Sequence, residues 1–382
     1  MKILQTGKFY PIRGGVEKVM WDLTRGLCEK GVDCDMLCAM LRGDGFDEAD
    51  RDRGRIEGRN RIIDFGPHGR CICVPAFAKV AATMLSPAMV FWMMRHAKEY
   101  DIIHVHHPDP MACMALWFSR YKGKVVLHWH SDILKQKGIL FFYRPFQSWL
   151  VRRADRIIGT TPAYVAASQA LAKVQHKISV LPIGIEDNVR SEAPDSRTDG
   201  VKTVFSLGRL VEYKGFRYLV EAARHLPPDY RIVIGGKGPL MDELKALYAS
   251  AEGLGAAVEF AGYMSDSQVR GMYNSCSLFV LPSVMKTEAF GIVQIEAMSC
   301  GKPVVATRIP GSGTAWVNED GVSGINVDIC DPQGLADAIV AVCSDPQRYS
   351  LFCRAARERF ENCFTLSKMI DGAVAIYESV LQ

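Results

Sequence analysis

Two carboxylates in one short segment carry the strongest chemical signal of this 382-residue sequence. The segment is Glu288-Ala-Phe-Gly-Ile-Val-Gln-Ile-Glu296, in which seven residues separate the two acids. Carboxylates accept paired hydrogen bonds from neighbouring hydroxyls, so both side chains suit a sugar or a ribose. We expect Glu288 to face a ligand from a strand-to-helix turn, with Glu296 about a turn and a half into the helix. The alternative is that Glu288 is an ordinary loop residue and Glu296 a solvated helix residue, and that neither binds a ligand.

A pair of cations with glycine neighbours lies after a predicted strand in the same half of the chain. Arg209 and Lys214 are five positions apart, between Gly208 and Gly215. Two such cations can hold a diphosphate and offset the charge that develops on it when it leaves. This arrangement could remove the need for a metal ion. The alternative explanation is ordinary surface charge.

Glycine-containing loops occur at several other predicted strand ends. Gly14 and Gly15 precede a helix predicted over Lys18–Lys30, where backbone amides can approach an anion closely. Two further loops, Gly235-Gly236-Lys237-Gly238-Pro239 and Gly262-Tyr263-Met264-Ser265-Asp266, could line a nucleotide pocket. The alternative for each of these loops is a simple turn that binds no ligand.

Two histidine clusters lie at strand ends in the first half of the sequence. They are His104-Val105-His106-His107-Pro108-Asp109 and His128-Trp129-His130-Ser131-Asp132. One interpretation is metal ligation, since His-x-His with a nearby Asp suits Zn²⁺ or a similar ion. The other places His130 against a substrate hydroxyl and packs the remaining imidazoles into the strand ends. We prefer substrate contact for His130, the residue nearest the loop.

Strands alternate with helices in both halves of the sequence, which predicts parallel sheets covered on both faces. The predicted strands are Lys2–Leu4, Asp35–Cys38, Ile102–Val105, Lys124–Trp129, Arg156–Gly159, Ile178–Leu181, Thr203–Leu207, Arg231–Ile234, Val258–Phe260, Leu278–Leu281 and Pro303–Ala306. We therefore predict an α/β protein with two doubly wound, Rossmann-like domains facing each other across a cleft. The predicted divisions are a first domain over 1–188, a linker over 189–200, a second domain over 201–364, and a C-terminal helix over 365–382 that could pack on the first domain.

Charge is unevenly distributed along the chain. Residues 1–190 hold 28 Lys and Arg against 19 Asp and Glu, a net charge of +9, and the remainder holds 18 against 23, a net charge of −5; these sum to the overall +4. Basic clusters at 51–55, 59–61 and 152–156 could meet an anionic membrane or a phosphate-bearing acceptor. Ordinary solvated surface is the alternative. We expect no nucleic-acid partner.

The sequence gives no sign of targeting or of a membrane-spanning helix. It runs from Met1 directly into a predicted strand, and the apolar stretch Val74–Met94 is interrupted by Lys79 and by two prolines. A cytoplasmic location is therefore expected. The twelve cysteines include no Cys-x-x-Cys pair, so we expect free buried thiols.

Seven motifs together resemble the retaining glycosyltransferases of family 4, which have the GT-B fold, and they span nearly the whole chain. The motifs are Gly14-Gly15-Val16-Glu17, Asp101-Ile102-Ile103-His104-Val105-His106, His128-Trp129-His130-Ser131-Asp132, Val180-Leu181-Pro182-Ile183-Gly184-Ile185-Glu186, Gly208-Arg209 with Lys214-Gly215, Gly236-Lys237-Gly238-Pro239, and Glu288 through Glu296. Two departures concern base or acceptor details. Many members carry Asn in a Pro-Asn-Gly-Ile-Asp motif where this chain has Ile183 and Glu186, and an acidic residue is commoner where Lys237 stands.

The resemblance implies roles for individual residues. Arg209 and Lys214 would bind the donor diphosphate with help from amides at Gly15. Glu288 would contact the donor sugar, Glu296 the ribose hydroxyls, and His130 the sugar near the reacting carbon. The donor-binding set is then Gly14, Gly15, Arg209, Lys214, Gly262, Tyr263, Met264, Glu288, Phe290, Gly291, Ile292 and Glu296; the catalytic set is His130, Glu288, Arg209 and Lys214.

The family's activity is metal-independent sugar transfer with retained anomeric configuration and without a firmly assigned protein nucleophile. The leaving diphosphate would then accept the acceptor's proton, while the enzyme supplies positioning and electrostatics. No cofactor and no metal are expected.

The segments 283–291 and 311–317 look similar to bacterial mannosyltransferases of surface-polysaccharide assembly, which favours GDP-mannose over UDP-sugars as donor. A lipid-linked or oligosaccharide acceptor and peripheral contact with the inner membrane face are expected. Two other functions stay open: a metal-dependent hydrolase that uses the His-x-His clusters, and a sugar-nucleotide epimerase on a similar fold.

Overall fold

The computed structural model describes residues 1–12, 14–41, 43–80, 83–133, 137–187, 200–250 and 255–382. It divides the chain into two compact units. Unit 1 contains Met1–Gly184 and Leu366–Gln382, and unit 2 contains Ile185–Thr365. Of the linker predicted over 189–200, all but Gly200 lies outside the described residues.

Unit 1 is built on a mainly parallel sheet. Its strands are β1 (Lys2–Phe9), β2 (Asp33–Leu41), β3 (Gly54–Glu57), β4 (Asn60–Asp64), β5 (Arg70–Ala76), β6 (Ala78–Val80), β7 (Thr83–Leu85), β8 (Ile102–His107), β9 (Lys124–Trp129), β10 (Arg156–Gly159) and β11 (Ile178–Val180). The order in the large sheet is β11-β10-β9-β8-β1-β2-β5-β4-β3. The strands from β11 to β5 are parallel, and β4 and β3 extend that edge in antiparallel fashion.

The helices of unit 1 follow the strand ends, as βαβ crossovers require. They are α1 (Gly15–Glu29), α2 (Pro87–His96), α3 (Pro110–Ser119), α4 (Lys137–Arg153) and α5 (Pro162–Ala166). Ser86, Asp109 and Thr161 cap the starts of α2, α3 and α5 with side-chain hydrogen bonds, and a proline follows each cap. Such caps satisfy amides that have no partner within the helix and so fix where each helix begins.

Unit 2 contains a fully parallel sheet with the order β14-β13-β12-β15-β16-β17. Its strands are β12 (Lys202–Leu207), β13 (Tyr230–Gly235), β14 (Ala257–Gly262), β15 (Leu278–Leu281), β16 (Val304–Thr307) and β17 (Gly324–Val327). Its helices are α6 (Phe216–Ala222), α7 (Met241–Ala249), α8 (Asp266–Ser275), α9 (Ile292–Ser299), α10 (Thr314–Val317), α11 (Pro332–Cys343) and α12 (Pro346–Cys363). The strand order is the one that defines a Rossmann-like sheet.

The last helix, α13 (Leu366–Leu381), packs on unit 1. Ile370 lies against Gly26 of α1, where a methyl group would be 2.0 Å from the Ile370 side chain. Tyr377 is fully buried, and its hydroxyl accepts a hydrogen bond from Nε2 of Gln5 at 3.0 Å and bonds to Nδ1 of His104 at 2.6 Å. The polypeptide therefore returns from unit 2 to complete the core of unit 1.

Candidate active site

The strand order of unit 2 locates a binding crevice at one end of its sheet. The chain leaves β12 toward β13 and β14 on one side, and the later strands β15, β16 and β17 continue on the other side of β12. The connections after β12 and β15 therefore turn in opposite directions at the carboxyl edge. In open parallel sheets, ligands bind at this switch point. Lys214 lies in the first of these connections and Glu288 in the second.

Lys214 and Glu288 form a largely buried ion pair at the switch point. Nζ of Lys214 donates to Oε2 of Glu288 at 2.5 Å, and the two side chains are 13 % and 12 % exposed. Gly215 makes the approach of the two loops possible: its φ is +66°, and a Cβ there would lie 2.0 Å from the carbonyl oxygen of Pro282. Sequence spacing alone does not predict this pairing, because 74 positions separate the partners.

The electrostatic surroundings keep Lys214 protonated. Burial alone would lower the pKa of its ammonium group, but the Glu288 carboxylate raises it, and the net shift is upward. Arg209 acts in the opposite direction, since its positive charge lowers the pKa of Lys214. Arg209 therefore lies close enough for its charge to act on Lys214.

Arg209 is exposed and forms no ion pair with any residue that the structure describes. Two cations thus face one carboxylate at the switch point, which leaves an excess positive charge. A guanidinium group offers five N–H donors in a fixed plane, a geometry that matches phosphate oxygens. The arrangement favours a bound anion.

Serine hydroxyls hold the turn that carries Glu288. Oγ of Ser283 donates to Oε2 of Glu288 at 3.1 Å, and Oγ of Ser312 donates to the Glu288 carbonyl oxygen at 2.5 Å. Both side-chain bonds to Glu288 use Oε2, so within the described part of the chain Oε1 has no hydrogen-bond partner. This oxygen can accept a hydrogen bond from a ligand hydroxyl. Sequence reasoning did not single out the two serines, although both lie in segments that it quoted.

The start of α9 presents backbone donors beside this turn. Gly291 has a φ of +78° and precedes the helix without a side-chain cap. The amides of Phe290, Gly291 and Ile292 donate to no backbone carbonyl of a described residue. Unpaired amides and the helix dipole favour negative charge at a helix start. The three amides that the resemblance assigns to sugar and phosphate binding are therefore available for it.

Glu296 is oriented by a buried tyrosine that sequence reasoning missed. The hydroxyl of Tyr273, on α8, donates to Oε2 of Glu296 at 2.7 Å. Burial raises the pKa of Tyr273 well above its usual value, and the Glu296 charge raises it further. Tyr273 therefore stays a neutral donor. No pattern in the sequence around Tyr273 signals this contact, since it depends on the packing of α8 against the sheet, where the Tyr273 ring meets Phe205 and Phe279.

The loop after β14 contributes an exposed aromatic ring at the same edge of the sheet. Tyr263 is 72 % exposed, and Nζ of Lys237 lies 5.6 Å from the centre of its ring. Met264 packs on the end of β13, since a Cβ on Gly235 would be 2.7 Å from its Sδ. Gly262 has a φ of +67° and accepts a hydrogen bond from the amide of Gly236 at 2.6 Å. An exposed ring of this kind can stack on a nucleotide base.

The glycine loop of unit 1 lies after β1, whose neighbours in the sheet are β2 and β8. Gly14 caps α1, and the helix begins at Gly15, three residues before the predicted start. The carboxylate of Glu17 folds back over the loop: a Cβ on Gly14 would lie 2.1 Å from its Oε2. Glu17 therefore occupies the space beside Gly14 in this structure.

The four histidines of the two His-x-His motifs form one buried stack. Ring centres of His128 and His130 are 3.9 Å apart, and those of His104 and His106 are 4.5 Å apart. A 2.9 Å hydrogen bond joins Nδ1 of His106 to Nε2 of His130. His130 is 4 % exposed, and its Nδ1 has no hydrogen-bond partner among the described residues. Burial lowers the pKa of all four imidazoles, to about 3 for His128.

The aspartates of the two motifs serve structural roles. Asp109 accepts hydrogen bonds from the amides of Lys8 and Ala112, the second of which caps α3. Asp132 accepts from Nε1 of Trp129 at 3.0 Å and from Ser168 at 2.7 Å. Ligand atoms of His104, His106 and His128 lie within 4.8 Å of one another. Because these imidazoles are buried, they do not offer the open, water-accessible position that a hydrolytic metal site needs.

Comparisons with known proteins identify the family. A model described as "Glycosyltransferase Family 4" matches residues 13–189, and one described as "Glycosyl transferases group 1" matches residues 190–359. The O-antigen chain mannosyltransferase C of Escherichia coli is 30% identical over 391 residues, covering 100% of this chain and 99% of that protein. The chain is a family 4 glycosyltransferase.

This glycosyltransferase is also similar to the D-rhamnosyltransferase WbpZ of Pseudomonas aeruginosa, with 28% identity over 96% of this chain and 92% of that protein. Among solved structures, HepE from Anabaena in complex with UDP superimposes with a TM-score of 0.77 at 22% identity and covers 99% of this chain and 100% of that one. The predicted fold class, α/β with two Rossmann-like domains of the GT-B type, is confirmed. Among the described residues, we find no helix with the length and apolar character of a membrane span.

Proposed function

We propose that the protein is a retaining glycosyltransferase that moves a hexose, mannose, from GDP-mannose to a lipid-linked or oligosaccharide acceptor in surface-polysaccharide biosynthesis. The observation that carries the proposal is the Lys214–Glu288 pair at the switch point of unit 2, with Arg209 beside it, which pairs with no described residue. This group combines excess positive charge with a carboxylate oxygen that no described residue engages. A nucleoside-diphosphate sugar needs both, since it carries a diphosphate and neighbouring hydroxyls.

The proposed reaction requires no protein nucleophile and no metal. The bond between the anomeric carbon and the diphosphate oxygen breaks, and the acceptor hydroxyl oxygen bonds to that carbon from the same face. The acceptor's proton passes to the departing diphosphate. Arg209 and Lys214 would stabilise the charge that develops on the diphosphate, and the amides of Phe290, Gly291 and Ile292 would supply further donors. Glu288 would hold a sugar hydroxyl through Oε1.

Other residues complete the proposed donor site. Glu296, oriented by Tyr273, would accept hydrogen bonds from the ribose, and Tyr263 would stack on the base. For unit 1, the family resemblance assigns Gly14 and Gly15 to the diphosphate and His130 to the sugar. Burial holds the pKa of His130 well below neutrality, so its role would be that of a neutral hydrogen-bonding group.

The names of relatives support the choice of donor sugar. The E. coli relative is a mannosyltransferase of O-antigen chains, which favours mannose and a polysaccharide acceptor. UDP-sugars are the alternative donors, and HepE holds UDP.

Peripheral contact with an anionic membrane at its inner face would bring the enzyme to a lipid-linked acceptor. Ion pairs already engage part of the predicted basic clusters, since Arg53 bonds to Asp50 and Arg153 to Asp155.

A thermal-shift panel tests the donor assignment. Purified protein is heated with GDP, UDP, ADP, GDP-mannose and UDP-glucose, because a ligand that binds only the folded state raises the melting temperature. We expect the largest rise with GDP and GDP-mannose. A larger rise with UDP than with GDP would overturn the donor assignment, and no rise with any diphosphate would overturn the proposed function.

Product analysis separates the proposal from the two other functions. Incubation of GDP-mannose without an acceptor should leave the sugar configuration unchanged, whereas an epimerase would convert it. A hydrolase that depends on the histidines would need a metal ion for its activity and would lose that activity to a chelator. We expect transfer activity that a chelator leaves unchanged.

A further inference from the structure

Three cysteines in unit 1 bring their sulfur atoms together in the core. Sγ of Cys38 lies 3.7 Å from Sγ of Cys71 and 3.5 Å from Sγ of Cys73, and the last two sulfurs are 3.6 Å apart. Each side chain is at most 2 % exposed. The three atoms form a nearly equilateral triangle with sides of 3.5, 3.6 and 3.7 Å.

Strand register produces this triangle. Cys38 of β2 is the parallel partner of Cys73 of β5, and Cys71 lies two residues earlier on the same face of β5. Sequence reasoning missed the cluster because it did not predict β5, so no pattern connected Cys38 with the other two. The spacing Cys-x-Cys on a strand is also not the usual Cys-x-x-Cys metal signature.

The triangle has the dimensions of a thiolate metal site. Thiolates 2.3 Å from a tetrahedral Zn²⁺ are separated by about 3.8 Å. The three observed separations are within a few tenths of an ångström of that value. A metal ion that accepts three thiolates therefore fits this triangle with little movement of the sulfur atoms.

The surroundings of the triangle suit a soft cation and its charge. The same core cluster contains three methionines, Met20, Met36 and Met40. Arg61 is the cross-strand partner of Cys73, and its guanidinium donates to Sδ of Met40 at 3.6 Å. Zn²⁺ with three thiolates carries a net charge of −1, which one guanidinium offsets. Thiolate and thioether sulfur are ligands that Zn²⁺ and Cu(I) prefer.

We propose that Cys38, Cys71 and Cys73 bind a thiophilic metal ion of the Zn²⁺ or Cu(I) type, as a structural site separate from the proposed sugar-nucleotide site. Binding converts three thiols to thiolates and releases three protons, with no change in the oxidation state of sulfur. Because the site is buried, the ion would enter while unit 1 folds. Its binding energy would then contribute to the stability of the folded unit.

Elemental analysis of full-length protein tests the site. Protein is produced in separate cultures supplied with Zn²⁺ or with copper and is purified under reducing conditions. We expect one equivalent of zinc or of copper in wild-type protein, and the two cultures identify the ion. In Co²⁺-supplied protein, a thiolate-to-cobalt charge-transfer band would report sulfur ligation directly. This band does not depend on any variant being folded.

Two cysteine variants provide the matched comparison. Cys73→Ala removes one ligand, and Cys34→Ala removes a buried cysteine of β2 that lies outside the triangle. We expect Cys73→Ala to lose the metal and Cys34→Ala to retain it. The proposal is overturned by metal-free wild-type protein in every culture, by equal metal loss in both variants, or by a disulfide between any two of the three cysteines.

Discussion

At the level of single residues, the candidate site of unit 2 centres on the carboxylate of Glu288, which uses only one of its two oxygens in hydrogen bonds with described residues. Glu288 engages Lys214 and Ser283 through one oxygen and leaves the other without a partner among the described residues. A carboxylate that served only to neutralise Lys214 would gain from engaging both oxygens. The pair instead positions Glu288, while Lys214 keeps further N–H donors for an anion.

Replacing Glu288 should therefore damage catalysis more than the loss of one ion pair suggests. We expect Glu288→Gln to lower kcat/KM at least about 100-fold, because it removes the proposed sugar contact and weakens the ion pair that positions Lys214. Steady-state transfer from GDP-mannose measures the effect. The matched control is Glu221→Gln, which breaks the exposed Glu221–Arg217 pair on α6 and should leave kcat/KM unchanged. Wild-type kcat/KM in Glu288→Gln would contradict the assigned role.

At the level of elements, helix α13 stabilises a unit from which it is distant in sequence. Tyr377 connects Gln5 of β1 with His104 of β8 through one buried hydroxyl. These two strands are neighbours at the centre of the sheet. Helix α13 therefore supplies the hydrogen-bond partner of two buried polar side chains in the core of unit 1.

Tyr377→Phe tests this contribution to stability. The change leaves buried polar atoms of Gln5 and His104 unpaired, which should lower the free energy of unfolding by about 1–3 kcal/mol. Urea denaturation measures the difference. Tyr143→Phe is the matched control, because no described residue meets hydrogen-bond geometry at the buried hydroxyl of Tyr143 and the nearby Cys113 thiol is only a weak partner. Its removal should leave stability unchanged or higher. Equal destabilisation by both changes would show that the hydrogen bonds of Tyr377 contribute nothing specific.

The sequence predicts the regular elements well where the pattern is purely local. The bounds of β9, β10 and β15 agree with the predicted ranges, because each is a short apolar run between polar turns. The strands β3, β4 and β5 were missed, since they carry arginines and cysteines and pair partly in antiparallel fashion. Strand β17 was missed as well, because Gly324 and Asn326 interrupt its apolar pattern.

The candidate site was predictable in its residue types but less so in its contacts. Glu288, Lys214 and Arg209 were identified from glycine-flanked loops at strand ends, and these loops do meet at one edge of the unit 2 sheet. Ser283, which donates to Glu288, and Tyr273, which donates to Glu296, were not identified. The Ser283 contact depends on the local fold of one loop and the Tyr273 contact on tertiary packing, and neither follows from a periodic pattern in the sequence.

For the whole molecule, the histidine stack and the buried His107 beside it make stability depend on pH. Burial lowers the pKa of His104, His106, His107, His128 and His130 in the folded state, to about 3 for His107 and His128. Below the unfolded value of about 6.5, the unfolded chain binds protons that the folded chain does not. The free energy of unfolding must therefore fall as the pH falls through this range.

Urea denaturation at about pH 7 and about pH 5 measures this dependence. Each buried histidine should lower the free energy of unfolding by up to about 1.4 kcal/mol per pH unit below 6.5. The urea concentration at which half of the wild-type protein is unfolded should therefore be clearly lower at the lower pH. His128→Leu should reduce the change of the free energy of unfolding with pH by the contribution of one histidine. The substitution breaks no hydrogen bond with a described residue, since neither ring nitrogen of His128 has such a partner. His225→Gln, at an exposed position, is the control and should retain the wild-type slope. A midpoint that does not change with pH would contradict the buried, neutral state of the stack.

The central claim is that the Lys214–Glu288 group of unit 2 binds a nucleoside-diphosphate sugar, and calorimetric titration of GDP-mannose tests it most directly. We predict saturable binding to wild-type protein and an affinity at least about tenfold lower for Lys214→Ala, a loss of about 1.4 kcal/mol. Lys202→Ala, which breaks the Lys202–Asp229 pair elsewhere in the same unit, should bind like wild type. Undiminished binding by Lys214→Ala, or no binding of any nucleoside-diphosphate sugar by wild-type protein, would contradict the claim.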